Sequence, residues 1–376
     1  MAASRGRQTA RHVPAGLERG LRNYWYPVLA SADLTDGPVA CRYLGEDLVA
    51  WRDSQGTAHL FPDYCPHRAA RLSIGTVLGD TLQCIFHGIR FAGDGRCALM
   101  PWEPDGSPML RKIRAVSYPV VERRGLIFAY LGDAARFPPP PPEAELPADL
   151  WDEAAVGYVL SETWEANWLL ALDGADRYHL PILHARSAVQ RRDGPAPDPA
   201  ASESGADRRL AVARGERRLA VAATDAAGRA VVTGMEADAA FADQGFHLPA
   251  LLALAVQAQA GTRPYRIFLW LFPIDEQRTQ VTRYISRYAP TAAEREEWET
   301  FFHAVVRPRT LQVSAEDARV AVSQRSLAFA RGHEQLLPPD GEIYQRRLLL
   351  RDAFLTQQEG RRLAPRLGAS LSSQVS

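Results

Sequence analysis

Two short runs decide the reading of this chain: Cys65-Pro66-His67-Arg68 and, with sixteen residues between His67 and Cys84, Cys84-Ile85-Phe86-His87-Gly88. The pattern C-x-H-x16-C-x2-H brings together two thiols and two imidazoles, and each loop supplies one of each kind. Such a set can hold one tetrahedral zinc, or a two-iron cluster with both Cys on one iron and both His on the other. Zinc sites usually pair like ligands within a knuckle, whereas mixed loops let each loop reach both irons. The other two cysteines, Cys41 and Cys97, have no nearby ligand and read as small buried hydrophobes. So few cysteines, with no apolar leader of the secretory kind, point to a reducing compartment rather than a disulfide scaffold.

Around these loops, from Tyr24 to about Asp133, short Val-, Ile-, Leu-, Tyr- and Phe-rich runs are punctuated by Gly, Asp and Pro, the pattern of an all-β domain. The expected strands are Val39–Tyr43, Leu48–Arg52, Ala58–Phe61, Thr81–Cys84, Arg90–Phe91, Val116–Glu122 and Leu126–Tyr130. Hairpin turns are expected at Asp53–Gly56 and Gly93–Gly95, with both ligand loops on the tips of neighbouring hairpins. Five consecutive prolines, Pro138–Pro142, can continue neither helix nor central strand and mark a boundary. Beyond them, Arg209–Ala222, Ala230–Ala237, Arg266–Phe272 and Gln280–Tyr288 read as strands of an antiparallel sheet, and Trp164–Leu172, Ala292–Val306 and Ile343–Thr356 as helices. This half is α+β. The domain expectation is therefore a flexible basic arm (1–23), a cluster-bearing domain (24–137), a Pro-rich linker (138–150), a second domain (151–360) and a flexible tail (361–376). Ser187–Arg208, poor in large apolar residues, is either a lid or disordered.

The charges exclude some roles. Lys+Arg and Asp+Glu are 44 each, so no net field favours phosphate backbones or anionic lipid, and no nucleic-acid role is expected. The most apolar stretch, Leu248–Val256, falls far short of the roughly 20 residues that span a bilayer.

A second constellation lies in the segment Asn167–His184, where Asp173, Asp176, His179 and His184 crowd one apolar stretch. Asp176 and His179, at i and i+3, share a helix face. At about 100° per residue a straight helix could not aim His179 and His184 at one ion, and Pro181 ends or kinks the helix between them. Two imidazoles plus a carboxylate with open positions opposite make the facial triad of non-haem Fe(II) oxygenases.

The first motif, with Pro66, Arg68 and Gly88 beside its ligands, resembles the Rieske [2Fe–2S] site. Asp176-x2-His179-x4-His184 resembles the iron segment of the catalytic α subunit of Rieske non-haem iron oxygenases, and the resemblance spans nearly the whole chain. It departs at Ile89, where most such clusters have Trp after His-Gly, and at Asp173, three rather than four residues before Asp176. The resemblance implies an all-β Rieske domain followed by an antiparallel-sheet helix-grip catalytic domain. It implies Cys65, His67, Cys84 and His87 as ligands of a [2Fe–2S] cluster, and His179, His184 and a distant carboxylate as ligands of mononuclear Fe(II). In Glu316-Asp317-…-Ser323-Gln324, an acidic pair expected to open a late helix, Asp317 is taken as that carboxylate and Glu316 as the fallback. Asp176 would then bind His179 and bridge to a cluster His of a neighbouring subunit in a homotrimer.

The implied activity is O2-dependent monohydroxylation, cis-dihydroxylation, O- or N-demethylation or desaturation, since one iron site supports all of these, and the reading taken is monohydroxylation or oxidative demethylation of a small, mainly apolar, ring-bearing substrate. The late stretch Pro338–Leu348 resembles the phthalate and demethylase branch. No G-x-G-x-x-G fingerprint opens a helix, so electrons are expected from a separate ferredoxin or flavin reductase, in the cytoplasm. The substrate wall would be Phe246, Leu248, Leu251, Leu252, Phe268, Trp270 and Phe272, unless these only pack the sheet. Two rival readings are an electron-transfer Rieske protein with a ligand-binding second domain and no catalytic iron, and a zinc-stabilised binding module.

Overall fold

A computed structural model of the chain describes residues 13–175, 179, 183–184, 209–214, 218–224, 230–231, 245–256, 263–337 and 340–361, with side chains between 209 and 231 not described. The chain forms two units, one of Leu21–Trp151 and one of Asp152–Ser376 together with the residues up to Gly20.

The first unit is built from ten strands: β1 (Tyr24–Ala30), β2 (Val39–Tyr43), β3 (Glu46–Arg52), β4 (Ala58–Pro62), β5 (Thr76–Leu78), β6 (Thr81–Gln83), β7 (Arg90–Ala92), β8 (Cys97–Leu99), β9 (Val120–Arg123) and β10 (Leu126–Leu131). They make three antiparallel sheets, β1-β10-β9, β2-β3-β4 and β5-β6-β7-β8. Val49, Trp51, Phe61, Leu72, Leu82 and Phe91 form a core joining the β2-β3-β4 and β5-β6-β7-β8 sheets, and Cys65, Cys84 and Ile89 belong to the same core.

The second unit holds β11 (Ala155–Trp164), helix α1 (Trp168–Asp173), β12 (Arg209–Arg214), β13 (Arg218–Thr224), β14 (Ala230–Val231), β15 (Gly245–His247), β16 (Leu251–Val256), β17 (Tyr265–Pro273) and β18 (Thr279–Tyr288). Helices α2 (Ala292–Phe301), α3 (Arg307–Ser323), α4 (Leu327–His333) and α5 (Gly341–Gln358) follow. The strands form one eight-stranded sheet in the order β11-β18-β17-β16-β15-β13-β12, with β14 on β13. A capping box starts α2: Thr291 accepts from the Glu294 N–H, and the Glu294 side chain accepts from the Thr291 N–H. Trp298, Phe302 and Val306 then bury themselves against Tyr265 and Ile285 of the sheet. Helix α1 lies against β17, β18 and α3, so the chain leading to His179 leaves from beside the helix that carries Asp317.

Several expectations are corrected. The arm is not free throughout: Leu17–Arg19 form a 3-10 turn, Leu17 is buried, and its carbonyl accepts the Trp168 indole N–H at 3.2 Å. Along the Pro-rich stretch Trp25 donates to the Pro140 carbonyl at 3.2 Å, and Leu146 and Leu150 are buried. The strand expected from Val116 starts at Val120, since Pro119 has no N–H for a ladder and Tyr118 makes an isolated bridge to Leu60. Trp164 ends a ten-residue strand paired with β18 rather than opening a helix. The helix begins after Asn167, whose side chain accepts from the Leu169 N–H at 3.0 Å. Arg209–Ala222 is not one strand but most of the antiparallel pair β12 and β13. The segment Ser187–Arg208 and the tail beyond Arg361 lie outside the described residues.

Candidate metal centres

In the first unit the two Cys/His loops share one backbone design. The Cys65 N–H donates to the Ala70 carbonyl at 2.7 Å and the Ala69 N–H to the Cys65 carbonyl at 2.8 Å. In the second loop Cys84 and Ile89, then Gly88 and Cys84, make the same bonds at 2.8 and 2.9 Å. The fourth residue after each Cys takes a left-handed conformation, Ala69 with φ 58° and Gly88 with φ 70°. Such a closed turn aims the Cys side chain inward while the His two or three residues on stays at the rim. Only the second loop tops a hairpin, β6–β7; the first connects β4 to β5 in different sheets, which corrects the expectation of paired hairpin tips.

Both thiols are buried and both imidazoles are partly exposed, with their ring centroids 4.7 Å apart. Burial pushes the Cys65 thiol up to about 11; the His67 backbone N–H opposes this and the neighbouring Cys84 adds to it. A metal here must displace thiol protons. Burial, then His67 and Arg68, hold the His87 imidazole below its ordinary value, in the neutral form a metal needs. Nδ1 of His67 is buried with no hydrogen-bond partner among the described residues. Left unsatisfied, such an atom costs about 1–3 kcal/mol, so the donor set fits a bound metal group.

In the second unit His179, His184 and Asp317 converge. Asp317 Oδ1 lies 3.2 Å from Nε2 of His184 and 3.6 Å from Nε2 of His179, and one donor atom from each residue falls within 4.8 Å of the others. Helix α1 ends at Asp173, before either His, and Pro181 lies outside the described residues. The Leu183 N–H closes back on the His179 carbonyl at 2.7 Å, which brings the rings to 5.1 Å. Asp176 lies outside the described residues.

The acidic pair does not open a helix, because Glu316 and Asp317 sit well inside α3. Adjacent helical residues diverge by about 100°, and the two carboxylates meet different edges of His184. Glu316 Oε2 accepts at Nδ1 at 2.5 Å, while Asp317 faces Nε2. Nε2 is thereby left as the ligand atom, with a carboxylate behind the ring to raise its basicity. Glu316 is thus placed as a partner of His184 rather than at the convergence point. Burial raises the Asp317 carboxyl above the usual range; His184, His179 and Arg283 counter this, and Glu316 adds repulsion. Arg283 is buried, paired with Glu162 at 2.6 Å and bonded to Ser314 of α3 at 2.6 Å. Arg283, Glu162 and Ser314 carry no motif and were not legible as part of this site.

Asp173 belongs to a different cluster. It is buried and meets Arg331 at 2.6 Å and Arg347 at 2.8 Å, and both arginines also bind Glu334. Burial would raise its pKa, but the two guanidiniums hold it below the ordinary carboxylate range.

Residues 24–116 match the Rieske [2Fe-2S] domain family, and residues 130–353 match the homotrimeric ring hydroxylase family. The chain belongs to the homotrimeric ring hydroxylases. Members combine a Rieske [2Fe–2S] cluster with a mononuclear iron, and that pair of cofactors answers to the two donor sets just described. The second match gives no support to an electron carrier lacking a catalytic domain.

The oxygenase subunit of the tert-butanol monooxygenase / tert-amyl alcohol desaturase of Aquincola tertiaricarbonis is 36% identical over 49% of this chain and 39% of its own length. The α subunit of phenoxybenzoate dioxygenase of Ectopseudomonas oleovorans is 38% identical over 47% and 45%. The chain thus spans less than half the length of these curated relatives in the matched stretch. The terminal oxygenase of carbazole 1,9a-dioxygenase from Novosphingobium sp. KA1 shares the fold, with TM-score 0.71 at 22% identity over 94% of this chain and 98% of that one. No described helix is long and apolar enough to cross a membrane.

Proposed function

We propose that this chain is a Rieske non-haem iron oxygenase that uses O2 and externally supplied electrons to monohydroxylate or oxidatively demethylate a small, mainly apolar, ring-bearing substrate. The observation that carries the proposal is the convergence of His179, His184 and Asp317 in a member of the ring hydroxylase family. Cys65, His67, Cys84 and His87 would hold the cluster, and His179, His184 and Asp317 the Fe(II). Bound there, the iron supplies O2 activation and the cluster supplies single electrons.

The chain's own residues set the conditions. Glu316 fixes the His184 tautomer by holding its Nδ1 proton. The Arg283–Glu162–Ser314 network steadies the face of α3 next to Asp317. Phe246 and Leu252 are buried on the sheet face of Leu269 and Arg283 and would form part of the apolar wall that orients a ring and excludes water, whereas Leu251, Phe268, Trp270 and Phe272 are buried on the opposite face and pack the sheet. Asp176 is assigned to bind His179 and to pass electrons from a neighbouring subunit's cluster His in a homotrimer. A separate ferredoxin or flavin reductase would donate the electrons. The four unpaired cysteines favour the cytoplasm, and the domain division proposed is 24–137 and 151–360, joined by 138–150.

Iron and acid-labile sulfide per chain test this reading. Anaerobically purified protein is expected to hold about three irons and about two sulfides. His179→Ala should lose one iron and keep the Rieske EPR signal. Two irons in both proteins would show that the second unit binds no catalytic metal, and zinc without sulfide would end the redox reading.

A further inference from the structure

Helices α2 and α3 are one continuous rod, joined by a single wide turn at Phe302–Val306. In that turn the Arg307 N–H reaches back five residues, to the Phe302 carbonyl, instead of four. Next comes Pro308, which brings no N–H. In a regular helix its ring would press on the Ala304 carbonyl, four residues back, and the wide turn makes room for it. The start of the rod is fixed to the sheet. The Trp298 indole N–H donates to the Val156 carbonyl at 2.9 Å, and Phe302 stacks on Tyr158 with ring centroids 4.1 Å apart. Farther along, the rod is fixed at Ser314, which accepts from Arg283 of β18.

The wide turn takes up one residue more than a regular turn, and that residue sets the phase of everything after it. Asp317 lies nineteen residues after Trp298. At about 100° per residue a regular helix would carry Asp317 about 100° round from Trp298, and Ser314 about 160° round, to the far side from the sheet. With one residue absorbed, Asp317 returns into line with Trp298, and Ser314 and Ala321 fall within about 60° of it. The burial agrees: Trp298, Phe302, Ser314 and Ala321 are all buried and form one stripe along the rod.

We propose that Pro308 is a positioning residue for the iron ligand Asp317: by holding the wide turn open it turns the Asp317 carboxylate toward His179 and His184. The inference rests on the reading of His179, His184 and Asp317 as ligands of a mononuclear iron. Pro308 lies nine residues before Asp317, about 14 Å along the helix, so it acts on the site through the phase of α3.

The test is an anaerobic Fe(II) titration of the full chain stripped of its mononuclear iron, read as iron regained per chain, with the Rieske EPR signal and the far-ultraviolet circular dichroism recorded on each sample. Pro308→Ala frees the rod to become regular at its full length. Its half-saturating iron should rise by about 10–100-fold, the range for groups that orient a ligand, with the Rieske signal unchanged. Deleting Ala304 from the Pro308→Ala chain removes the extra residue, so a regular helix again brings Asp317 into line, and iron affinity should return to near wild type. A Pro308→Ala chain with wild-type affinity overturns the proposal. So does a deletion that fails to restore affinity, because that outcome makes the loss a general damage to the helix. If Pro308→Ala alone does not fold, the shortened chain decides by itself: wild-type affinity supports the proposal and lost affinity overturns it. A wild-type chain that takes up no mononuclear iron would instead defeat the ligand reading, a separate result.

Discussion

Asp317→Ala is expected to abolish substrate-dependent O2 uptake and remove the mononuclear iron while leaving the Rieske EPR signal intact. Asp317 is the only carboxylate among the described residues that meets both His179 and His184, so its loss leaves two neutral donors on a labile divalent ion. Glu316→Gln separates the neighbouring role. The amide still reaches Nδ1 of His184 but carries no charge behind the ring, and loss of such a partner costs roughly 10–100-fold in metal affinity or activity. The informative comparison is iron titration of both apo-variants. Asp317→Ala should not saturate, whereas Glu316→Gln should saturate at higher iron. Equal behaviour, or iron retained by Asp317→Ala and lost by Glu316→Gln, would transfer the ligand role to Glu316.

Asp173→Ala should produce the largest loss of stability in the second unit. The wild-type carboxylate balances two buried guanidiniums, and with it gone Glu334 alone faces both Arg331 and Arg347. Breaking a buried pair by deleting one partner costs on the order of 3–5 kcal/mol. In a unit of this size each kcal/mol lowers the thermal midpoint by about 2–4 °C. The pH dependence has a definite sign. Because the folded Asp173 carboxyl is held below the ordinary range, its contribution is complete above the unfolded value of about 3.9 and disappears as pH falls through the lower folded value. The stability gap between wild type and variant should therefore be flat from neutral pH down to about 4 and narrow below it. A gap that widens on acidification would contradict the ion-pair account.

The cluster also explains why an acid three residues before Asp176 is no iron ligand. Arg346 donates to the carbonyls of Leu172 and Ala175, and Arg347 holds Asp173, so α5 clasps the end of α1 from which the histidine segment departs.

What the sequence determined by itself was the pair of donor sets and the class of each unit. C-x-H-x16-C-x2-H is a local pattern, and two closed turns around Cys65 and Cys84 follow from short-range bonds and from Gly88 in a left-handed conformation. The apolar runs of β3, β4, β17 and β18 were equally legible, because short β-branched, aromatic and aliphatic runs bounded by turn residues mark strands buried on both faces. Element starts were less so: Trp164 has the pattern of a helix but is claimed by pairing with Thr279, more than a hundred residues away. The tertiary structure alone decided that Glu316 backs His184 while Asp317 meets both imidazoles, that Arg283 binds Ser314 on the helix of Asp317, and that the Trp102 ring lies beside both cluster histidines. Those relations join side chains distant in the chain, and nothing in local spacing encodes which of two adjacent carboxylates a packed helix will turn toward its partner.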